Sequence, residues 1–398
     1  MNGARNPVVS VQKGVVAIYT RGFNPPYTEG KIAAVRPLIK AIALCGWKTL
    51  VLNFRYSTQR EVHRHFDCGI SQHSEVRIPG AQRSILFHTE PLVFKISSSI
   101  LESVLTPILL AQELRARPFV VHLNNCFKFP RALLRLISKK PVAIHVYQMP
   151  IPSLLPDLPL PVDAYLASSS RIAKVLKPQS HGASIFTFPP AVDTEFFEKK
   201  QGGRRMNKTV LYIGNLSPNR IPNDLLLVFR EVLRGEPDAS FRLIAPVSVR
   251  NTSRQREIET ICRSLGIEKE VSVFLTDMDD DRKLEEYRAV KCFMFAPSRE
   301  SHDAIEPPLT VLEALSCGLP VVATETYSVG ESVTSAKNGF LVSPESYTDL
   351  VDRTIRVLQA DEDVWQAWSA HARTTATSRF SISSMSGRLT RIYSSILT

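Results

Sequence analysis

The first short apolar run, Val15-Val16-Ala17-Ile18-Tyr19, has the length and lack of alternation of a strand buried on both faces. A polar loop rich in Gly and Pro follows from Arg21 to Gly30. Apolar residues then recur at helical spacing from Ile32 to Leu44, and Thr49-Leu50-Val51-Leu52 reads as a second buried strand. Strand, loop, helix and strand in so short a stretch predict a βαβ unit and a parallel sheet. The runs Phe119–His122, Val142–His145 and Ala164–Ala167 repeat the theme. Pro189 to Lys208, with Pro189-Pro190, Gly202-Gly203 and a basic cluster, breaks the pattern. Beyond it the alternation restarts with strands at Val210–Ile213, Phe241–Ile244, Val271–Phe274, Cys292–Phe295 and Val321–Ala323, and a helix at Asp224–Leu233. The last segment, Ile382 to Leu397, reads as a terminal helix. The pattern predicts an α/β protein of two doubly wound domains, 1–188 and 189–378, followed by a helix in 379–398. Ligands of such sheets bind at the carboxyl ends of the strands, so the expected site is the cleft between the domains.

Composition narrows the class. With 44% apolar and 22% charged residues, the chain is globular rather than disordered. No window offers the roughly 18 uninterrupted apolar residues of a membrane span. Met1 to Lys13 lack the apolar stretch of a secretory signal, so a cytoplasmic location is expected. The six cysteines are scattered, without a Cys-x-x-Cys pair, and read as reduced core residues. Charge is unevenly placed. Residues 1–150 hold 20 Lys and Arg against 7 Asp and Glu, an excess of +13, whereas 201–398 hold 24 against 26. An anionic partner for the first domain is the functional reading, and a merely soluble basic surface the plain one. Phe94 to Leu110 and the basic amphipathic stretch Arg131 to Lys140 extend the functional reading to a peripheral contact with an anionic membrane and a lipid-linked or phosphorylated acceptor. Both stretches also read as ordinary half-buried helices. No nucleic-acid recognition motif accompanies the charge.

The segment Pro297 to Thr324 carries most of the chemistry. A strand ends at Ala296, a polar loop follows, Pro307 and Pro308 open a helix, and Gly318 with Pro320 closes it. The N–H groups of Leu309, Thr310 and Val311 then face out of a helix N-terminus, which suits a phosphate. The Thr310 hydroxyl can add a bond. Glu313 follows ~4.5 Å along the axis on nearly the same face, where a carboxylate suits the two hydroxyls of a ribose. Together these read as a nucleotide site, against the alternative of a plain helix start and a solvated glutamate. His63, His65, Asp67, Cys68 and His73 have no zinc-module spacing, and Asp277–Asp281 reads as a helix cap, so no metal is expected.

The run Leu309-Thr310-Val311-Leu312-Glu313-Ala314-Leu315-Ser316-Cys317-Gly318-Leu319-Pro320-Val321-Val322-Ala323 resembles the family-four glycosyltransferases, the large retaining GT-B group. Their hallmark is two glutamates eight apart at the start of such a helix. The resemblance implies two Rossmann-like domains facing across a cleft, with a C-terminal helix crossing back to the first. Glu313 takes the place of the ribose-binding second glutamate. At the first glutamate this chain has Ile305, with Glu306 one residue later; Glu306 either stands in through a loop shift and orients the donor sugar, or is an exposed loop charge. Val210 to Arg220 is similar to the family's phosphate loop: Gly214 and Leu216 match, Asn215 replaces an arginine, and Arg220 replaces a lysine that holds the pyrophosphate. Phe188 to Phe197 resembles the interdomain signature, Asn338 to Val342 a strand motif, and Phe380 to Tyr393 the crossing helix. In the first domain, Glu29-Gly30 resembles the glycine loop near the pyrophosphate and acceptor. His122-Leu123-Asn124 resembles a His-x-His pair, with Asn124 at the donor-facing position and His122 also readable as a satisfied core histidine.

The resemblance implies metal-independent transfer of a sugar from a UDP- or GDP-linked donor, with no side-chain nucleophile and no other cofactor. Arg220, Glu306 and Asn124 are the implied catalytic groups. Glu313, Leu309, Thr310, Asn215, Gly214 and Gly30 would bind the donor. Ile305, Asn215 and Asn124 leave a second reading open, a degenerate member that binds nucleotide sugar or a partner without turnover.

Overall fold

Two parallel sheets form from the apolar runs. A computed structural model describes residues 14–20, 33–56, 70–78, 118–124, 141–146, 162–180, 182–198, 207–299 and 305–397. In the first domain these include β1 (Val15–Thr20), α1 (Val35–Leu44), β2 (Lys48–Tyr56), β3 (Ile70–Ile78), β4 (Pro118–Leu123), β5 (Val142–Val146), β6 (Ala164–Ala167), α2 (Ser170–Leu176) and β7 (Ser184–Thr187). The sheet runs β3-β2-β1-β4-β5-β6-β7 with every pairing parallel. Val16, Ile18, Val120 and Ala143 are fully buried, at 0% exposure, as strands covered by helices on both faces require.

The second domain is built from β8 (Asn207–Ile213), α3 (Asn223–Gly235), β9 (Ser240–Ala245), α4 (Val249–Leu265), β10 (Val271–Leu275), α5 (Asp280–Arg288), β11 (Val290–Phe295), α6 (Leu309–Ser316), β12 (Val321–Thr324), β13 (Gly339–Val342), α7 (Tyr347–Gln359) and α8 (Glu362–Phe380). Its parallel sheet runs β10-β9-β8-β11-β12-β13. Each sheet reverses its winding once, between β1 and β4 and between β8 and β11, and a doubly wound sheet opens its ligand crevice at such a point. These strands end at Thr20, Leu123, Ile213 and Phe295, and Asn124, Gly214 and Ala296 follow the last three directly.

A last helix, α9 (Ile382–Ile396), leaves the second domain and completes the core of the first. Its Met385, Leu389, Ile392 and Tyr393 pack in one cluster with Leu38, Ile39 and Ile42 of α1. A smaller apolar cluster joins the domains: Ala34, Val192, Ile305, Leu309, Leu312 and Phe380. Among the described residues no helix is long and apolar enough to cross a membrane.

Candidate functional site

Helix α6 begins after Pro308, which lies in extended conformation at the cap position. Two prolines in succession cannot continue a helix backward, so the chain is forced to start it here. At the other end, Arg373 of α8 donates to the Ser316 carbonyl (2.8 Å), a cation at the negative end of the dipole. The start differs in one respect from expectation. The Val311 N–H turns back to the Pro308 carbonyl (3.1 Å), so it is not among the donors facing outward. Leu309 lies with its side chain in the interdomain apolar cluster, and the Thr310 carbonyl accepts from the Tyr287 hydroxyl (3.3 Å).

Glu313 is buried, at 5% exposure. Its Oε1 accepts from Lys283 Nζ at 2.7 Å and its Oε2 from the Tyr287 hydroxyl at 2.9 Å. Burial raises its pKa, the Lys283 charge opposes that rise, and Asp280 adds to it. A carboxylate has about four acceptor positions, so two bonds leave room for ribose hydroxyls. Glu313 and Leu309 line an interdomain cavity of about 170 Å³ with Arg36, Lys40, Asp193 and Asp280. Arg36 reaches Asp280 across it at 3.0 Å. Asp279 caps α5 through the Arg282 N–H (3.0 Å), as the sequence predicts for this acidic run.

A second group of site residues gathers at the carboxyl ends of β8, β11 and β12. Arg220 is buried, with its guanidinium carbon 4.3 Å from the centre of the Tyr327 ring and 5.3 Å from that of Phe295. Glu306 is 1% exposed, which overturns its reading as an exposed loop charge. Its Oε1 accepts from Arg171 Nη2 of the first domain (2.9 Å) and its Oε2 from the Ser328 hydroxyl (2.7 Å). Ile305, at the family's first-glutamate position, packs in the interdomain apolar cluster, where an ionised carboxylate would be costly. The strand end of β8 turns at Gly214, where a Cβ would lie 2.7 Å from the Tyr212 hydroxyl. Asn215 is exposed, and its Oδ1 accepts from Asn251 Nδ2 at 3.4 Å.

In the first domain Asn124 is fully buried and donates to Thr20 Oγ1 (3.2 Å), joining the ends of β4 and β1. His122 is a core residue, not a cleft residue. Its Nδ1 lies 2.7 Å from His145 Nε2 and its Nε2 2.7 Å from the Tyr393 hydroxyl. Burial pushes its pKa down to about 3. Gly30, with Gly22 and Glu29, lies outside the described residues, as do His63, His65, Asp67, Cys68 and the stretches 94–110 and 131–140. Among the described residues no three His, Cys, Asp or Glu side chains are grouped to hold a metal ion.

Residues 193–375 match the family Glycosyl transferases group 1. The second domain is thus similar to this family over a little under half of the chain, and the whole has the GT-B fold. The D-inositol 3-phosphate glycosyltransferase 2 of Catenulispora acidiphila is 26% identical over 218 residues, covering 48% of this chain and 49% of that protein. The chain thus spans about half the length of the curated relatives it matches. Among solved structures, the sucrose-phosphate synthase of Thermosynechococcus elongatus superposes with a TM-score of 0.72 at 15% identity, covering 96% of this chain and 99% of that one. HepE of Anabaena, in complex with UDP and glucose, gives 0.69 at 16% identity, with coverage of 96% and 99%. At such identities these likenesses speak for the GT-B fold alone.

Sequence reasoning missed Arg171 and Ser328 as neighbours of Glu306, Lys283 and Tyr287 as neighbours of Glu313, and Tyr327 as a neighbour of Arg220. Lys283 and Tyr287 stand four apart, on one face of α5, a spacing that marks a shared neighbour. Arg171, Tyr327 and Ser328 reach the site through tertiary folding, and no local pattern announces them.

Proposed function

We propose that the chain is a retaining glycosyltransferase that moves a sugar from a nucleoside-diphosphate donor to a hydroxyl acceptor without a metal. The observation that supports it best is Glu313 on a cavity that both domains line, with Glu306 bonded to Arg171 of the first domain. In this reading Glu313 accepts from the ribose hydroxyls. Arg220, Asn215 and the N–H groups of Leu309 and Thr310, with the Gly214 and Gly30 backbone, hold the diphosphate. Glu306 orients the donor sugar and Asn124 hydrogen-bonds it. The acceptor oxygen attacks the anomeric carbon on the face of the leaving group. The bond from that carbon to the β-phosphate oxygen breaks, the nucleoside diphosphate leaves with the electron pair, and a phosphate oxygen takes the acceptor's proton. Arg220 and the helix N-terminus stabilise the charge that grows on the phosphate, a role in which single groups contribute about 2.7–4 kcal/mol elsewhere. The +13 excess in residues 1–150 favours an acceptor that carries negative charge, whether a phosphorylated sugar or polyol or a lipid-linked one at an anionic membrane surface. The acceptor named for the curated relatives, inositol 3-phosphate, is of the first kind.

A thermal-melt panel of UDP, GDP, ADP and their sugar conjugates, on wild type and Glu313→Gln, tests the reading. Stabilisation by one nucleotide class is expected, about 2.7 kcal/mol at a hundredfold excess over Kd, and strongly reduced in the variant. No shift with any nucleotide at millimolar concentration overturns it. A degenerate binding protein is the second reading, favoured by the Arg171 and Ser328 bonds that already occupy Glu306. Stabilisation by a nucleotide sugar without release of nucleoside diphosphate would select it.

A further inference from the structure

Between β12 and β13 the chain turns through two adjacent non-glycine residues in the left-handed region, Tyr327 at φ 47° and Ser328 at φ 55°. The conformation disfavours side chains with a Cβ, an aromatic one most, and persists where the surroundings impose it. Each of the two contacts a different group of the donor site. The Tyr327 ring, fully buried, lies beneath the Arg220 guanidinium at 4.3 Å. The Ser328 hydroxyl donates to Glu306 Oε2 at 2.7 Å. Arg220 follows β8 and Glu306 precedes α6, so the two come from separate crossovers of the sheet and meet through this dipeptide. Glycines would relax the turn but would supply neither the ring nor the hydroxyl.

We propose that Tyr327 and Ser328 are positioning residues for sugar transfer: their strained turn fixes the Arg220 cation and the Glu306 carboxylate at a set separation, one for the donor diphosphate and the other for its sugar. The proposal rests on the donor-site reading above. Ser328 acts through Glu306, so its loss affects turnover more than donor affinity. Tyr327 acts through Arg220, so its loss weakens capture of the diphosphate.

The full chain is tested by melting temperature and by release of nucleoside diphosphate from the nucleotide sugar that stabilises wild type. Ser328→Ala and Ser328→Gly both lack the hydroxyl, and each should lose about tenfold in kcat with KM little changed. Their difference isolates the strain: Ser328→Gly should melt about 2–4 °C above Ser328→Ala. Ser328→Asn tolerates the left-handed region and donates an N–H, so it should regain most of the lost kcat. Tyr327→Leu should raise the donor KM about tenfold, while Tyr327→Phe, which keeps the ring, should not. A Ser328→Gly variant that melts no higher than Ser328→Ala overturns the strain. Wild-type turnover in both Ser328→Gly and Tyr327→Leu overturns this proposal and leaves the transferase reading standing. A wild type with neither thermal shift nor release overturns both.

Discussion

At the scale of single residues, burial decides which titrating groups serve structure. His122 and His145 are held neutral in the first domain's core, His122 by burial and His145 by burial and then by its neighbour. The hydroxyl of Tyr393 continues the chain and ties α9 to β4. Unfolded histidines take up protons near pH 6.5, whereas His122 in the fold does so at about 3. As pH falls below 6.5, the unfolded state therefore binds more protons, and stability is lost; above 6.5 the contribution is fully present. The melting temperature should accordingly fall between pH 7 and 5. In the paired variant His122→Gln with His145→Gln the fall should be shallower. Equal slopes in the two proteins would show that these histidines do not govern the acid limb. The same burial agrees with the reading of His122 as a satisfied core histidine.

At the scale of elements, strands and the motif helix were legible because their periodicity is local. Val210–Ile213 and Cys292–Phe295 appear within β8 and β11, and the Pro-Pro and Gly-x-Pro signals bracket α6. Helix α4 was not legible. Its buried face is Asn251, Arg254, Ile258 and Cys262, spaced at three and four but half polar, so the stripe does not read as apolar. Those polar residues are there to hold the neighbouring loop. Asn251 accepts from the Leu216 N–H (3.1 Å) and donates to the Pro246 carbonyl (2.7 Å). Arg254, one turn on, donates to the Ile221 carbonyl (2.6 Å) and to Asn223 Oδ1 (2.7 Å). The loop that carries Asn215 and Arg220 is thus gripped at both ends by one helix face. Asn251→Ala leaves buried partners unsatisfied, at a cost of about 1–3 kcal/mol. It should also raise the donor KM more than it lowers kcat, in steady-state kinetics on the stabilising nucleotide sugar. A KM equal to that of wild type would confine Asn251 to stability.

At the scale of the whole molecule, the two domains meet at a few polar contacts around an apolar seam. On one side Arg171 reaches Glu306, and the N–H and hydroxyl of Ser170 donate to Glu331 Oε1 at 2.8 and 2.7 Å, which caps the first turn of α2 from the opposite domain. On the other side Arg36 pairs with Asp280, and Lys40 pairs with Asp193 at 2.6 Å. The partly exposed pairs Arg36–Asp280 and Lys40–Asp193 contribute about 0–1 kcal/mol each, so a donor can displace them, and this side of the clasp is a weak preference for closure. The seam of Ile305, Leu309, Leu312, Ala34, Val192 and Phe380 lies next to α6 and the connections between domains. Opening about that seam is therefore the motion expected of this fold, with the Glu331 contact at the moving edge. Glu331→Ala should leave the unfolding free energy within about 0.5 kcal/mol of wild type, since the residue is only half-buried. It should increase the radius of gyration in small-angle scattering of the ligand-free protein. Saturating nucleotide sugar should then return the variant to the wild-type value, because contacts to a donor bound by both domains replace the lost clasp. An unchanged radius without ligand would mean that the seam alone holds the domains closed, and the Ser170–Glu331 contact would then be a consequence of closure rather than a contributor to it.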